Sequence, residues 1–215
     1  MKTLVIFDLD GTLLNTIADL AQATNHALET MGYPTHSIPS YTAMVGNGVT
    51  KLLERALPVE ARSTRIIEAM RTHFRDYYDS HCADNTTIYP GVGELLVELT
   101  NRNINCAVCS NKYQKGVTTL IEHFFPEIPW VAALGNEEGL PVKPDPSIVF
   151  KALTLCPTPK SEVLYVGDSG VDMETARRAC VESCGVTWGF RPRHELVSSY
   201  ADHIVTNPDD ILSLL

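Results

Sequence analysis

The sequence predicts an α/β fold with a parallel sheet, helices on both of its faces, and an all-helical insertion. Three observations carry that reading. An apolar, partly β-branched run, Leu4-Val5-Ile6-Phe7, is cut off by Asp8-Leu9-Asp10-Gly11-Thr12, as a buried strand would be. From Ile88 onward, strand-like runs alternate with helical ones, the pattern of a parallel sheet. Between Asn15 and Asn85 the periodicity is helical only. The expected organisation is a Rossmann-like core of residues 1–14 and 86–215, with residues 15–85 as a helical cap.

Each element follows in order. Ile17, Leu20, Ala21, Ala27, Leu28 and Met31 recur at helical spacing over 16–31, and Gly32 ends the helix. After a connector with Pro34 and Pro39, Gly46-Asn47-Gly48 interrupts the chain. A helix over 49–57 follows, with Leu52, Leu53, Ala56 and Leu57 on one side. Ile66, Ile67, Met70, Phe74 and Tyr77 mark a third helix over 60–80. The core then resumes with a helix after Tyr89-Pro90-Gly91, a strand over 104–109, a helix over 115–125 and a short strand over 130–133. Asp145-Pro146 opens a helix to about Leu155, since Asp caps well and Pro suits the first helical position. A strand over 162–166, a helix over 171–179, strands over 185–188 and 203–205, and a last helix over 208–215 complete the expected order.

Composition bounds the function. The 215 residues carry a formal net charge of −9, which argues against nucleic acid or an anionic membrane as partner. No apolar run reaches a membrane span, and the N-terminal apolar run is too short for a signal peptide, so a cytoplasmic protein is expected. The six cysteines should then be reduced, and Cys106 and Cys109, inside an apolar strand, read as core rather than as metal ligands.

Polar clusters fall just past strand ends or in loops on that side: Asp8 with Asp10, Ser110 with Asn111, Lys143, and Asp168 with Asp172. In a parallel sheet these ends face one way, so the clusters can share one crevice. The set suits phosphoryl transfer from a monoester. Asp8 can attack phosphorus, and Asp10 can protonate the leaving alkoxide and later take a proton from water. Asp8 and Asp168 can supply carboxylates to Mg²⁺. Ser110 can donate to a phosphoryl oxygen, and Lys143 can neutralise charge building on the transferred group.

With these motifs in order along the whole chain, the sequence resembles the haloacid dehalogenase superfamily, and within it the phosphoglycolate phosphatases. The resemblance rests on Asp8-Leu9-Asp10-Gly11-Thr12, Ser110-Asn111-Lys112, Lys143 in its Lys-Pro-Asp-Pro run, and Gly167-Asp168-Ser169-Gly170-Val171-Asp172. It implies a metal held by Asp8, the backbone carbonyl of Asp10, and Asp168. Asp172 would lie behind the metal or orient Lys143, and the cap would close for chemistry. An acid at position 10 favours phosphate esters over the dehalogenating and phosphonate-cleaving members, which lack it.

Substrate choice is expected from the cap. Gly46, Asn47 and Gly48 form the candidate substrate-facing loop, with Lys51 and Arg55 either facing the substrate or lying on the solvated face of their helix. Asn111, and Thr16 at the hinge, are further candidate substrate contacts. The expected partner is a small phosphorylated metabolite, and the assembly a monomer or dimer. A sugar-phosphate mutase of the same superfamily is the alternative. A phosphorylation switch is less well matched, since receiver domains carry no helical insertion after the first strand.

Overall fold

The computed structural model describes all 215 residues. Its centre is β1 (Leu4–Phe7), whose four residues are all buried. A ribbon of β2 (Leu14–Asn15) and β3 (Thr87–Ile88) pairs antiparallel, Leu14 opposite Ile88, and closes the base of the helical block. The remaining strands are β4 (Asn105–Tyr113), β5 (Trp130–Asn136), β6 (Val163–Gly167), β7 (Glu182–Val186) and β8 (His203–Val205). They join β1 in a six-stranded sheet of order β5-β4-β1-β6-β7-β8, with every pairing parallel. The chain leaves β1 toward β4 on one side and later returns to β6 on the other. That reversal opens a crevice at the C-terminal end of β1, where an open α/β sheet binds ligands.

The period-2 alternation of β1 sorts its side chains to two apolar layers. Leu4 and Ile6 pack with Ala107, Cys109, Val163 and Tyr165 against Val149 and Ala152 of α6 (Ser147–Leu155) and Ala176 of α7 (Gly170–Ala179). Val5 and Phe7 join Cys106, Val108, Leu164 and Val166 in the opposite layer. There they meet Leu96 and Leu99 of α4 (Val92–Asn101) and Val117 and Leu120 of α5 (Gln114–Phe124). The same apolar cluster continues into α1 (Ile17–Thr30), α2 (Val49–Ala56) and α3 (Thr64–His81), which cover the C-terminal end of the sheet.

Buried Asp19 stitches the two ends of this helical block. Its carboxylate accepts from the backbone N–H of Asn85 and Thr86, the Asn85 amide and the Thr86 hydroxyl, at 2.8–3.0 Å.

Several boundaries differ from the sequence reading. The helix expected from Glu60 starts at Thr64, because Val59–Ala61 makes its own 3-10 turn and Ser63 Oγ accepts from Ile66 N–H as the cap. The helix expected to have Asp145 at its cap and Pro146 as its first residue starts one residue later: Pro146 takes the cap position, and Asp145 before it accepts from Ser147 N–H at 2.9 Å. β4 runs on through Ser110 and Asn111 instead of ending before them. The strand expected over 185–188 is displaced to 182–186, because Trp188 turns toward β1 and donates its indole N–H to the Thr12 carbonyl at 3.0 Å. The six-residue α8 (Arg193–Ser198) is too short to leave a periodic signal. The final segment, Pro208–Leu214, is a 3-10 helix, with Asn207 and Asp210 capping each other. No helix is long and apolar enough to cross a membrane.

Candidate active site

Asp8 follows the last residue of β1, and its N–H is tied to the Val166 carbonyl at 2.9 Å, which fixes it beside the end of β6. The turn after it needs glycine at position 11 for two reasons. Gly11 has φ +90°, and a Cβ there would lie 2.4 Å from the Asp168 carboxylate. A Cβ on Gly167 would meet the Asp172 side chain at 2.3 Å. The carboxylates thus sit where backbone leaves them room.

Asp172 is fully buried on the first turn of α7. One oxygen accepts from Ser169 N–H and Oγ–H at 3.1 and 2.6 Å, a reciprocal cap that fixes its rotamer. The other accepts from Lys143 Nζ at 2.7 Å. Lys143 Nζ also lies 2.9 Å from Asp8 Oδ1 and donates to the Tyr165 hydroxyl at 3.1 Å, which donates in turn to the Cys109 carbonyl. The backbone of Lys143 is held by the Asn111 amide, whose Oδ1 accepts from Lys143 N–H at 2.7 Å and whose Nδ2 donates to its carbonyl at 3.1 Å. Asp168 accepts from Phe190 N–H at 2.7 Å.

Burial pushes the Asp8 carboxyl up to about 6, with the Asp172 and Asp10 charges adding to burial and Lys143 opposing it. Burial, then the Asp172 and Asp8 charges, push Asp168 well above the usual carboxylate range. Burial alone would lower Lys143, but Asp172 and Asp8 outweigh it and hold its ammonium well above the ordinary value. Three buried acids and one ammonium leave the cluster short of positive charge.

Asp8, Asp168 and Asp172 each bring an oxygen within 4.8 Å of the others. Both Asp172 oxygens are already engaged, whereas Asp8 Oδ1 is buried with only the nearby Lys143 charge and no aligned hydrogen bond. An oxygen-rich donor set of this sign fits a hard divalent cation, with Asp8 and Asp168 the carboxylates free to bind it.

On the cap side, Asp10 accepts from the Thr16 hydroxyl at 2.7 Å and from Lys112 Nζ at 2.9 Å. Lys112 is buried and lies 4.9 Å over the Tyr78 ring. A cavity of about 50 Å³ separates Asp8 and Asp10 from Val45, Gly46, Gly48 and Val49 of the cap, with Ser110 and Lys112 at its side.

Asp8, Asp10, Ser110, Asn111, Gly46 and Gly48 therefore line one cavity, with Lys143, Asp168 and Asp172 behind it. Other expected substrate contacts sit elsewhere. Thr16 is wholly buried behind Asp10 and meets the acid instead of the cavity. The Asn47 side chain turns away to accept from Arg55, which also donates to the Met44 carbonyl, so both shape the loop from outside. Lys51 is exposed and pairs with Glu54 on its own helix. Asn111 lines the cavity, but its amide is taken up by Lys143 and by the Gly46 carbonyl at 3.0 Å. No spacing in the sequence marks Lys112, Tyr165 or Arg191 as neighbours of the site. Only the run Ser110-Asn111-Lys112 hints at the first.

A parallel sheet roofed by helices, with acids gathered at its strand ends, defines an α/β protein with its site at the carboxyl ends of the strands. The model of the haloacid dehalogenase-like hydrolase family matches residues 5–186, and the chain belongs to that family. It is 31% identical to the phosphoglycolate phosphatase of Vibrio parahaemolyticus over 217 residues, covering 99% of this chain and 95% of that one. Identity to the Pseudomonas syringae pv. tomato phosphoglycolate phosphatase is 33% over 200 residues, 88% of this chain and 71% of the relative. A predicted phosphoglycolate phosphatase from Haemophilus somnus superposes with a TM-score of 0.91 at 28% identity, covering 99% of this chain and 97% of that one.

Proposed function

We propose that the protein is a Mg²⁺-dependent phosphatase that hydrolyses phosphoglycolate, or a small ester close to it, through a phosphoryl group carried on Asp8. Phosphoric monoester hydrolysis is the activity its family and relatives support. The observation that carries the mechanism is the pair of acids at the end of β1. Asp8 is buried beside Lys143, and Asp10, two residues on, faces the same cavity.

Asp8 attacks phosphorus as the ester P–O bond breaks, and Asp10 gives its proton to the departing alkoxide. Asp10 then takes a proton from water as that water displaces Asp8 from phosphorus, releasing inorganic phosphate. Thr16 holds Asp10 toward the cavity, and Lys112 braces it until substrate enters. Ser110 donates to a phosphoryl oxygen, and Lys143 balances the negative charge that passes onto Asp8. Asp172 orients Lys143 rather than meeting substrate. Asp8, Asp168 and the Asp10 carbonyl would hold Mg²⁺, which supplies charge neutralisation for the phosphoryl oxygens. Residues 15–85 act as a cap that excludes water when seated.

In place of Lys51 and Arg55, Lys112 is the cation that would meet the second anionic group of a small substrate, since it alone of the three lines the cavity. Six unpaired thiols, four of them buried, suit a reducing compartment such as the cytoplasm.

Release of inorganic phosphate from a panel of phosphoglycolate, pyrophosphate and sugar phosphates, compared by kcat/KM, tests the reading. Phosphoglycolate should rank first, and Asp8→Asn should lower turnover by about 10⁴-fold. Phosphate moved to a second hydroxyl without release would identify a mutase instead.

A further inference from the structure

The loop after β7 touches both halves of the site. Phe190 N–H donates to Asp168, and Gly189 packs so closely that a Cβ there would fall 2.3 Å from the Asp168 side chain. Glu195 reaches the same turn from α8, accepting from Gly170 N–H at 3.0 Å. The next residue along the loop, Arg191, points the other way. Its guanidinium donates to the carbonyls of Thr42 and Val45 in the cap, the second at 2.7 Å. Val45 and Gly46 form the cavity wall facing Asp8, and a Cβ on Gly46 would sit 3.4 Å from the Arg191 guanidinium.

Two carbonyls caught by one planar fork fix position and orientation together, which a single ammonium does not. Arg191 also has somewhere to go when the cap lifts: its Nε lies 3.7 Å from Glu195 Oε1. One short segment, 189–195, therefore grips the Asp168 turn through Phe190 and Glu195 and the cap loop through Arg191.

We propose that Arg191 is a positioning residue that seats the cap loop 42–48 over Asp8, and that the seating is coupled to the carboxylate cluster through Phe190 and Asp168. The proposal rests on the phosphatase reading of the site. Filling the Asp8–Asp168 cluster with a cation fixes the Asp168 turn, and with it the backbone from which Arg191 reaches the cap. Coupling of this kind is reciprocal, so a seated cap must in turn tighten cation binding.

Amide hydrogen exchange on the full chain tests it, with Mg²⁺ and inorganic phosphate as the probes. In the parent protein, the two together should slow exchange over residues 42–48. In Arg191→Ala that slowing should fall by about fivefold or more, and Mg²⁺ affinity measured calorimetrically in phosphate should weaken by a similar factor. Exchange in β1 and β4 should stay as in the parent, which separates lost seating from lost fold. Arg191→Lys keeps the charge but not the fork, and should recover only part of the slowing. Equal slowing of 42–48 in the parent and either variant overturns the proposal, even if phosphatase activity falls. Parent protein that shows no response to Mg²⁺ and phosphate removes the phosphate-site reading and the proposal together. Equal response in parent and variants removes the proposal alone.

Discussion

At the scale of single residues, the site is decided by which oxygens are already engaged. Asp172 spends both of its own on Ser169 and Lys143, which supports its proposed role of orienting the lysine. Asp8 Oδ1 has no aligned donor and only the Lys143 charge 2.9 Å away, which suits the proposed roles of this carboxylate in holding a cation and attacking phosphorus. Lys112 is the residue with the most to reveal. It reaches Asp10 at 2.9 Å from within the cavity wall, whereas Lys51, the cation that helical spacing offers first, lies on the outside. Lys112→Ala should raise KM for phosphoglycolate by about tenfold or more, the worth of a hydrogen bond to a charged group. It should affect an aryl phosphate, which has no second anionic group, less in KM, and steady-state kinetics on the two substrates will show this. A parallel rise in both KM values would remove Lys112 from substrate recognition. The sequence displays Lys112 plainly but not its direction, because a side chain near a strand end can turn to either face once the ladder becomes irregular, as β4 does between Cys109 and Tyr113.

At the scale of elements, the strand–helix alternation is legible because burial imposes it on the sequence. β1 and β6 are buried at every position since both faces are covered. The two-residue strands β2 and β3 leave no pattern, yet they frame the joint between core and helical block. Asp19 locks that joint by gathering the backbone of Asn85 and Thr86 from sixty-odd residues away. Asp19→Ala strands several buried donors and should cost about 2–4 kcal/mol, read as a lower urea midpoint. An unchanged midpoint would mean that the ribbon holds the joint alone. Periodicity could not reveal Asp19 as a staple, because an acid on the first turn of a helix is also what the helix dipole favours.

At the scale of the whole molecule, the closed site concentrates negative charge, and pH should report it. Folding raises the Asp8 carboxyl to about 6, above the roughly 3.9 of an unfolded aspartate. Between those values the folded chain holds a proton that the unfolded chain releases, so metal-free protein loses stability as pH rises. Asp168, also pushed up by burial, adds to the loss in the same direction. Mg²⁺ needs both groups ionised, so its stabilisation should grow over that window. The gap between melting temperatures with Mg²⁺ and with chelator should be small near pH 4.5 and large near pH 7.5. A gap that is the same at both values would place the cation elsewhere. Lys112 and Lys143 offset only part of the charge of Asp8, Asp10, Asp168 and Asp172, so an anionic substrate should bind far better with the divalent cation present than with chelator.

The sequence by itself determined the sheet, the helical insertion and the acids at the strand ends, because burial and turn geometry act on neighbouring residues and so leave short periods and fixed motifs. Only the tertiary structure decided which of those groups face one another. Thr16 stands behind Asp10, Asn111 braces Lys143, and Arg191 crosses from β7's loop to a cap nearly 150 residues earlier in the chain. Contacts of that kind depend on how the layers pack, and nothing local in the chain records them.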